Sequence, residues 1–255
     1  VWPATTFRLW SQFRIDHQTE AAIAFLERRK DEPFFLQLSY FAPHVPIEYT
    51  KKYFDRFPGD MPERRRWGLA SISAIDDGVG EIVQTLEKYG LAENTIIFFF
   101  GDNGAPLGIK RRDDPFSVEG GWDGSDNGPM VGEKGMLSDG GIRVPFLVYW
   151  KNHIPPQIYE NPVISLDAGA TALALAGVKT SHLEIDGVSL IPYLKKAQTS
   201  EPHDALYWRF WGQSAIRMGK WKLIVLETGR KLLFDMTSDA HENQNLVDQH
   251  PEIAN

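Results

Sequence analysis

Hydrophobic positions along this chain follow two periods, and segments of each kind alternate. From Asp16 to Lys30, Ala21, Ala22, Phe25 and Leu26 stand at helical spacing, and the segment ends in basic residues that suit the carbonyl end of a helix dipole. The spacing predicts a helix there, broken by Asp31-Glu32-Pro33. Phe34 to Phe41 is a short, mostly apolar run, the pattern of a strand buried on both faces, and Pro43 and Pro46 stop it. Between residues 64 and 89, Leu69, Ile72, Ile75, Val79, Ile82, Val83 and Leu86 keep helical steps, which predicts a long amphipathic helix packed on that sheet, with Gly90 closing it. A second buried strand is predicted over 95–101. Arg143 to Trp150 reads as a third, with Pro145 near its start, where a missing ladder donor is tolerated.

Strands alternating with helices, and apolar on both faces, argue an α/β layered sheet of mainly parallel strands. Ligands in such sheets sit beyond the carboxyl ends of the strands, where Pro43-His44 and Asp102-Asn103 fall. Residues 105–142 form a long connection rich in Gly and Asp, far beyond the ~12 to 15 residues usual for a structureless loop, and read as a lid or binding loop. Further helices are predicted over Asp167 to Ala176 and Ser189 to Lys196, and the polar stretch Gln198 to Pro202 marks a boundary. After it the pattern changes. Leu206 to Phe210, Gln213 to Met218, Trp221 to Leu226 and Lys231 to Asp235 are short aromatic-rich runs between turn residues, the signature of an antiparallel sheet. The expected organisation is an α/β domain over 1–200 and a small antiparallel-sheet subdomain over 201–255.

Composition narrows the classes. A chain of 255 residues, 42% hydrophobic with 15 Phe and 8 Trp, can bury a large core. Its net charge of −7 argues against nucleic acid as a partner, because phosphate backbones are bound by clustered cations. The one basic run, Arg64-Arg65-Arg66, reads as a solvated helix face. Absence of cysteine excludes disulfides, thiolate metal sites and a cysteine nucleophile within this chain, and leaves the compartment open. No apolar run approaches the roughly 18 to 20 residues of a membrane helix, so no membrane span is expected. The front lacks both an initiating Met and the order of a signal peptide, and the chain is expected to be processed or partial there.

Three short motifs carry candidate chemistry. Asn-Gly is a hairpin signal, but Ala105-Pro106-Leu107-Gly108 after it is no strand, and an acidic group ending an apolar strand is costly unless something pairs with it. Asp102 and Asn103 offer hard oxygens suited to Ca²⁺ or Mg²⁺, although two protein ligands fall short of the roughly 6 to 8 oxygens calcium takes. His44 lies between Pro43 and Pro46, just past a strand end, and Lys134 sits alone in Gly132-Glu133-Lys134-Gly135, placed to meet an oxyanion. Asp76-Asp77 and the loop acids Asp113, Asp114, Asp123 and Asp126 read as solvating groups.

Together with their neighbours these motifs resemble the formylglycine-dependent sulfatases of the alkaline phosphatase-like superfamily. Pro33 to Leu36 with Ala42-Pro43-His44-Val45-Pro46, Asp76 to Gly80, Gly90 to Thr95, Gly101-Asp102-Asn103-Gly104, Gly132 to Gly135 and Gly140 to Pro145 occur in the family's order. Asp186 to Leu190, Arg217 to Leu223, and Leu233 to Met236 through Glu242 to Leu246 resemble its C-terminal subdomain. Two features depart from the pattern. No Cys-x-Pro-x-Arg or Ser-x-Pro-x-Arg nucleophile motif occurs, and the early Asp-Asp metal pair is missing. Both belong to the family's N-terminal half, so the chain is expected to be a C-terminal portion that needs that segment as its partner and is inactive alone.

The resemblance implies a covalent mechanism in which the hydrated aldehyde of formylglycine, outside this chain, attacks sulfur and the alcohol leaves. It implies Asp102 and Asn103 as ligands of a divalent cation, usually Ca²⁺, His44 as a sulfate contact that protonates the leaving oxygen, and Lys134 as the neutraliser of a sulfate oxygen. The expected substrate is a sulfated small molecule or polysaccharide; Trp122, Trp208, Phe210 and Trp211 offer aromatic surfaces for sugar rings, although large aromatics in a small sheet are more often its core. Family habit places such proteins in the periplasm, outside the cell or in lysosomes. Two other classes stay open: a phosphate or phosphonate ester hydrolase of the same superfamily, and a non-catalytic module that binds sulfated glycans.

Overall fold

Helix α1 (Arg14–Arg29) buries Ile15, Thr19, Ala22 and Leu26, a stripe at helical spacing, and carries Asp16 in its first turn and Arg28 and Arg29 in its last. Complete burial of Leu26, which is 1% exposed, contributes about 2 kcal/mol. The computed structural model describes residues 13–107, 124–180 and 182–255, and the chain divides into two units, Val1–Thr95 with Ala105–Asp126 and Ile96–Gly104 with Asn127–Asn255. Trp122 and the loop acids Asp113, Asp114 and Asp123 lie outside the described residues.

In the first unit α1 packs on α3 (Glu63–Lys88), with the short α2 (Lys51–Phe54) beside α3. The buried stripe of α3 is built largely of small residues, Gly68, Ala70, Ser71, Ala74 and Gly78 with Ile75, while Ile72 is exposed. Small side chains let the helices approach closely. A Cβ at Gly78 would collide with Thr19 Oγ1 and come within 2.8 Å of the Tyr40 hydroxyl, two groups that hydrogen-bond each other at 2.8 Å. Ile15, Tyr53, Ala70, Ala74 and Ile75 form the core of this unit. Arg65 donates to the Gly124 carbonyl and Arg66 to that of Gly59, so the basic run is half-buried and engaged rather than a solvated face. Residues 33–41 form no ladder among the described residues, and they bond instead through side chains, as when Gln18 Nε2 donates to the Ser39 carbonyl.

The second unit holds two sheets. Strand β1 (Ile97–Phe100) pairs with β2 (Phe146–Tyr149) in register Phe100↔Phe146, and this pairing is antiparallel within an α/β fold expected to be mainly parallel. Expected burial on both faces is also not met among the described residues: Phe99, Phe100, Leu147 and Tyr149 are exposed. Strands β3 (Ala205–Phe210), β4 (Gln213–Met218), β5 (Trp221–Val225) and β6 (Lys231–Asp235) form the C-terminal antiparallel meander in sequence order, as predicted. Its inner face meets Leu137, forming a core of Leu137, Ala215, Ile224, Phe234 and Met236. Short helices α4 (Asp139–Ile142), α6 (Ile191–Leu194) and α7 (Pro251–Ala254) and the longer α5 (Leu166–Leu175) complete an α/β unit. No helix among the described residues is long and apolar enough to cross a membrane.

Candidate active site

The β1–β2 ladder ends where Gly101 N–H donates to the Pro145 carbonyl at 3.2 Å, which brings Asp102-Asn103-Gly104 beside the chain that leads out of α4. Gly104 N–H donates to the Gly141 carbonyl at 2.9 Å. That approach tolerates only glycine, since a Cβ at Gly104 would strike the Gly140 carbonyl oxygen. Gly140 meets the other loop in the same way: its N–H donates to the Val131 carbonyl at 2.8 Å, and a Cβ on it would lie 2.6 Å from that oxygen. Asn127 Nδ2 donates to the Gly132 carbonyl at 3.0 Å, and Met136 N–H to that of Glu133 at 2.9 Å, which closes the loop carrying Lys134. Both candidate loops are therefore seated on one turn, Gly140-Gly141.

Within that arrangement Asp102 is exposed and makes no ion pair or hydrogen bond among the described residues. Asn103 Nδ2 donates to the Gly104 carbonyl at 3.0 Å, which leaves its Oδ1 as the atom able to accept a cation. Lys134 is half-buried and has no carboxylate partner among the described residues. The donor set suits a hard, oxygen-preferring ion, and among the described residues no group of three or more His, Asp or Glu side chains converges.

His44 belongs to the first unit. Its backbone N–H closes a turn to the Phe41 carbonyl at 3.1 Å, its ring packs 5.0 Å from that of Phe41, and cis bonds precede both Pro43 and Pro46. Nδ1 lies 2.6 Å from the Val45 carbonyl, an atom that can only accept, so Nδ1 carries the proton. Nε2 of the neutral ring is then the acceptor, and of the protonated ring a donor, which is the versatility an acid or base needs.

Sequence reasoning passed over the residues that hold α4. Lys222, wholly buried on β5, donates to Asp139 Oδ1 at 2.6 Å and lies 2.6 Å from Glu242 Oε1, and Asp139 N–H donates to Glu242 Oε2 at 2.6 Å. Burial pushes the Glu242 carboxyl up from its ordinary value, against the opposing pull of Lys222. A signal was present: in Trp221 to Val225 the alternation puts Lys222 on the same face as Ile224, so a cation stands in a core position.

Comparison with known proteins gives these motifs a context. The family model described as Sulfatase matches residues 15–178, and that described as N-sulphoglucosamine sulphohydrolase, C-terminal, matches 131–254. An uncharacterized sulfatase, YdeN, of Escherichia coli (strain K12) is 34% identical over 198 residues, which cover 76% of this chain and 33% of that protein. N-acetylgalactosamine-6-sulfatase of Mus musculus is 31% identical over 80% of this chain and 37% of its own length. The solved structure of Ps i-CgsB in complex with k-i-k-neocarrahexaose superposes with a TM-score of 0.83 at 29% identity, covering 95% of this chain and 52% of that one. The chain thus spans between a third and about half the length of these relatives.

Proposed function

Because the chain belongs to the sulfatase family, we propose that it forms the part of a sulfate-ester hydrolase that grips the sulfate and supplies one side of a divalent-cation site. The observation that carries this reading is the seating of Asp102 and Lys134, neither with an ion-pair partner among the described residues, on the same Gly140-Gly141 turn, one charge for a cation and the other for an oxyanion. The substrate class is a sulfated carbohydrate, in keeping with the sugar-named relatives. Residues 201–255 act as a C-terminal subdomain, and the nucleophile, a formylglycine, comes from a segment N-terminal to this chain. The compartment is periplasmic, extracellular or lysosomal.

Asp102 and Asn103 Oδ1 hold the cation, for which Ca²⁺ fits the hard oxygen donors. When bound, such an ion supplies Lewis-acid stabilisation of charge developing on the sulfate. Lys134 neutralises a sulfate oxygen, and among the described residues no carboxylate competes for its ammonium. His44, with the proton fixed on Nδ1 by the Val45 carbonyl, keeps Nε2 for the role that the family resemblance gives it, contact with sulfate and, when protonated, proton delivery to a leaving oxygen.

Amide and side-chain NMR titrations of this chain test the binding roles. CaCl₂ is expected to shift Asp102 to Gly104, and sodium sulfate to shift Lys134, while shifts scattered over the surface with neither pattern would overturn the assignment. Activity belongs to the longer protein: with the upstream segment present it should hydrolyse p-nitrophenyl sulfate well above p-nitrophenyl phosphate. The reverse preference would move it to phosphate ester hydrolysis, and binding of sulfated glycans without turnover to a glycan-binding module.

A further inference from the structure

We infer that Lys222, Asp139 and Glu242 form a buried charge clamp through which the C-terminal sheet positions both site loops, so that Lys222 and Glu242 are positioning residues for the sulfate site. Lys222 is 0% exposed, Asp139 4% and Glu242 5%. Asp139 is fixed twice, its backbone N–H by Glu242 Oε2 and its Oδ1 by Lys222 Nζ, each at 2.6 Å. Asp139 opens α4, whose next two residues receive Gly104 through the Gly141 carbonyl and grip Val131 through the Gly140 N–H. A path of named bonds therefore runs from β5 to the Asp102-Asn103 loop and to the Lys134 loop.

The clamp is costly to build. One ammonium and two carboxylates are removed from water, and among the described residues only Arg143, 3.6 Å from Asp139 Oδ2 and largely exposed, is there to balance the second negative charge. Glu242 also stands at φ 57°, in the left-handed region that a β-carbon disfavours. Apolar residues of similar volume serve stability as well as such a group does, so its physical return is directional: charged bonds hold α4 in one place where apolar contacts would let it slide. The bearing of the clamp on sulfate rests on the function proposed above.

Hydrogen exchange by NMR on this chain tests the clamp, with Lys222→Met and the shape-preserving Glu242→Gln. Lys222→Met is expected to speed exchange of the Gly104 and Gly140 amides by about tenfold or more while amides of the β4–β5 ladder change by less than about threefold. Glu242→Gln should shift the same two amides in the same direction by a smaller factor, and decides the matter if the Met variant does not fold. Uniform acceleration across unit and ladder, or none at Gly104 and Gly140, would overturn the clamp. Sulfate titration of each variant, well below its own melting temperature, reads the second half of the claim: the shift at Lys134 should need several-fold more sulfate. If the unaltered chain shows no sulfate shift, the sulfate reading fails while the exchange comparison still judges the clamp.

Discussion

Asp167, wholly buried in the first turn of α5, holds His203 with both carboxylate oxygens, each 3.0 Å from Nε2. The same two oxygens accept the backbone N–H groups of Ile164 and Val188 at 2.9 Å, so one side chain joins three segments remote in sequence. Asp167→Ala would strand two buried N–H groups and is expected to cost about 3 kcal/mol or more, read as a lower urea midpoint. His203→Ala, which removes one partner and leaves the backbone bonds intact, should cost about 1 to 3 kcal/mol. Equal midpoints for Asp167→Ala and the unaltered chain would show that the network contributes nothing.

Gly104→Ala places a methyl group against the Gly140 carbonyl oxygen. Backbone on both sides of the contact cannot yield as a flexible side chain would, so destabilisation of about 1 to 3 kcal/mol is expected, with loss of the Gly104 to Gly141 hydrogen bond. The calcium-dependent shift at Asp102 should vanish with it. A crystal structure of the variant with the 102–104 backbone unmoved would contradict this.

Lys134→Met separates binding from folding. Lys134 is half-buried and has no carboxylate partner among the described residues, so its loss should change stability by no more than about 0.5 kcal/mol. Sulfate-induced shifts at Gly135 should nevertheless disappear. Retention of those shifts would remove Lys134 from the site.

Asp235 provides a pH test in the C-terminal sheet. Lys220 at 2.7 Å, then the Thr237 hydroxyl at 2.6 Å and its N–H at 3.0 Å, hold the Asp235 carboxyl well below the usual carboxylate range. A depressed folded-state pKa means stability that is fully present above the ordinary Asp value and is lost as pH falls toward the folded value. The melting-temperature difference between the unaltered chain and Asp235→Asn should therefore stay flat from neutral pH down to about 5, then shrink below the ordinary Asp range. A difference that changes between pH 7 and 5 would assign the effect to another group.

Much of the local structure was legible from residue order. Strands Gln213–Met218 and Lys231–Asp235 fall where the short runs between turn residues placed them, and α1 and α3 begin and end within two residues of their predicted bounds. Apolar runs did not reveal pairing direction, because a run such as Ile97 to Phe100 reads the same in a parallel or an antiparallel ladder. Nor did the periodicity of α3 show that Ala70, Ala74 and Gly78 are buried while Ile72 is exposed, since close helix approach, as at Gly78 against Thr19, selects for small residues that a hydrophobicity count undervalues.

Sequence by itself determined the helices and strands whose hydrogen bonds and apolar faces close locally, and it marked Asp102, Asn103, Lys134 and His44 by residue chemistry and by the family order of their motifs. Tertiary structure alone decided what holds them. The Gly140-Gly141 seat, the Lys222–Asp139–Glu242 clamp and the Asp167–His203 pair each join residues far apart in the chain. Charge and hydrogen-bond energies depend on distance in space and on exclusion of water, and neither quantity is written in residue order.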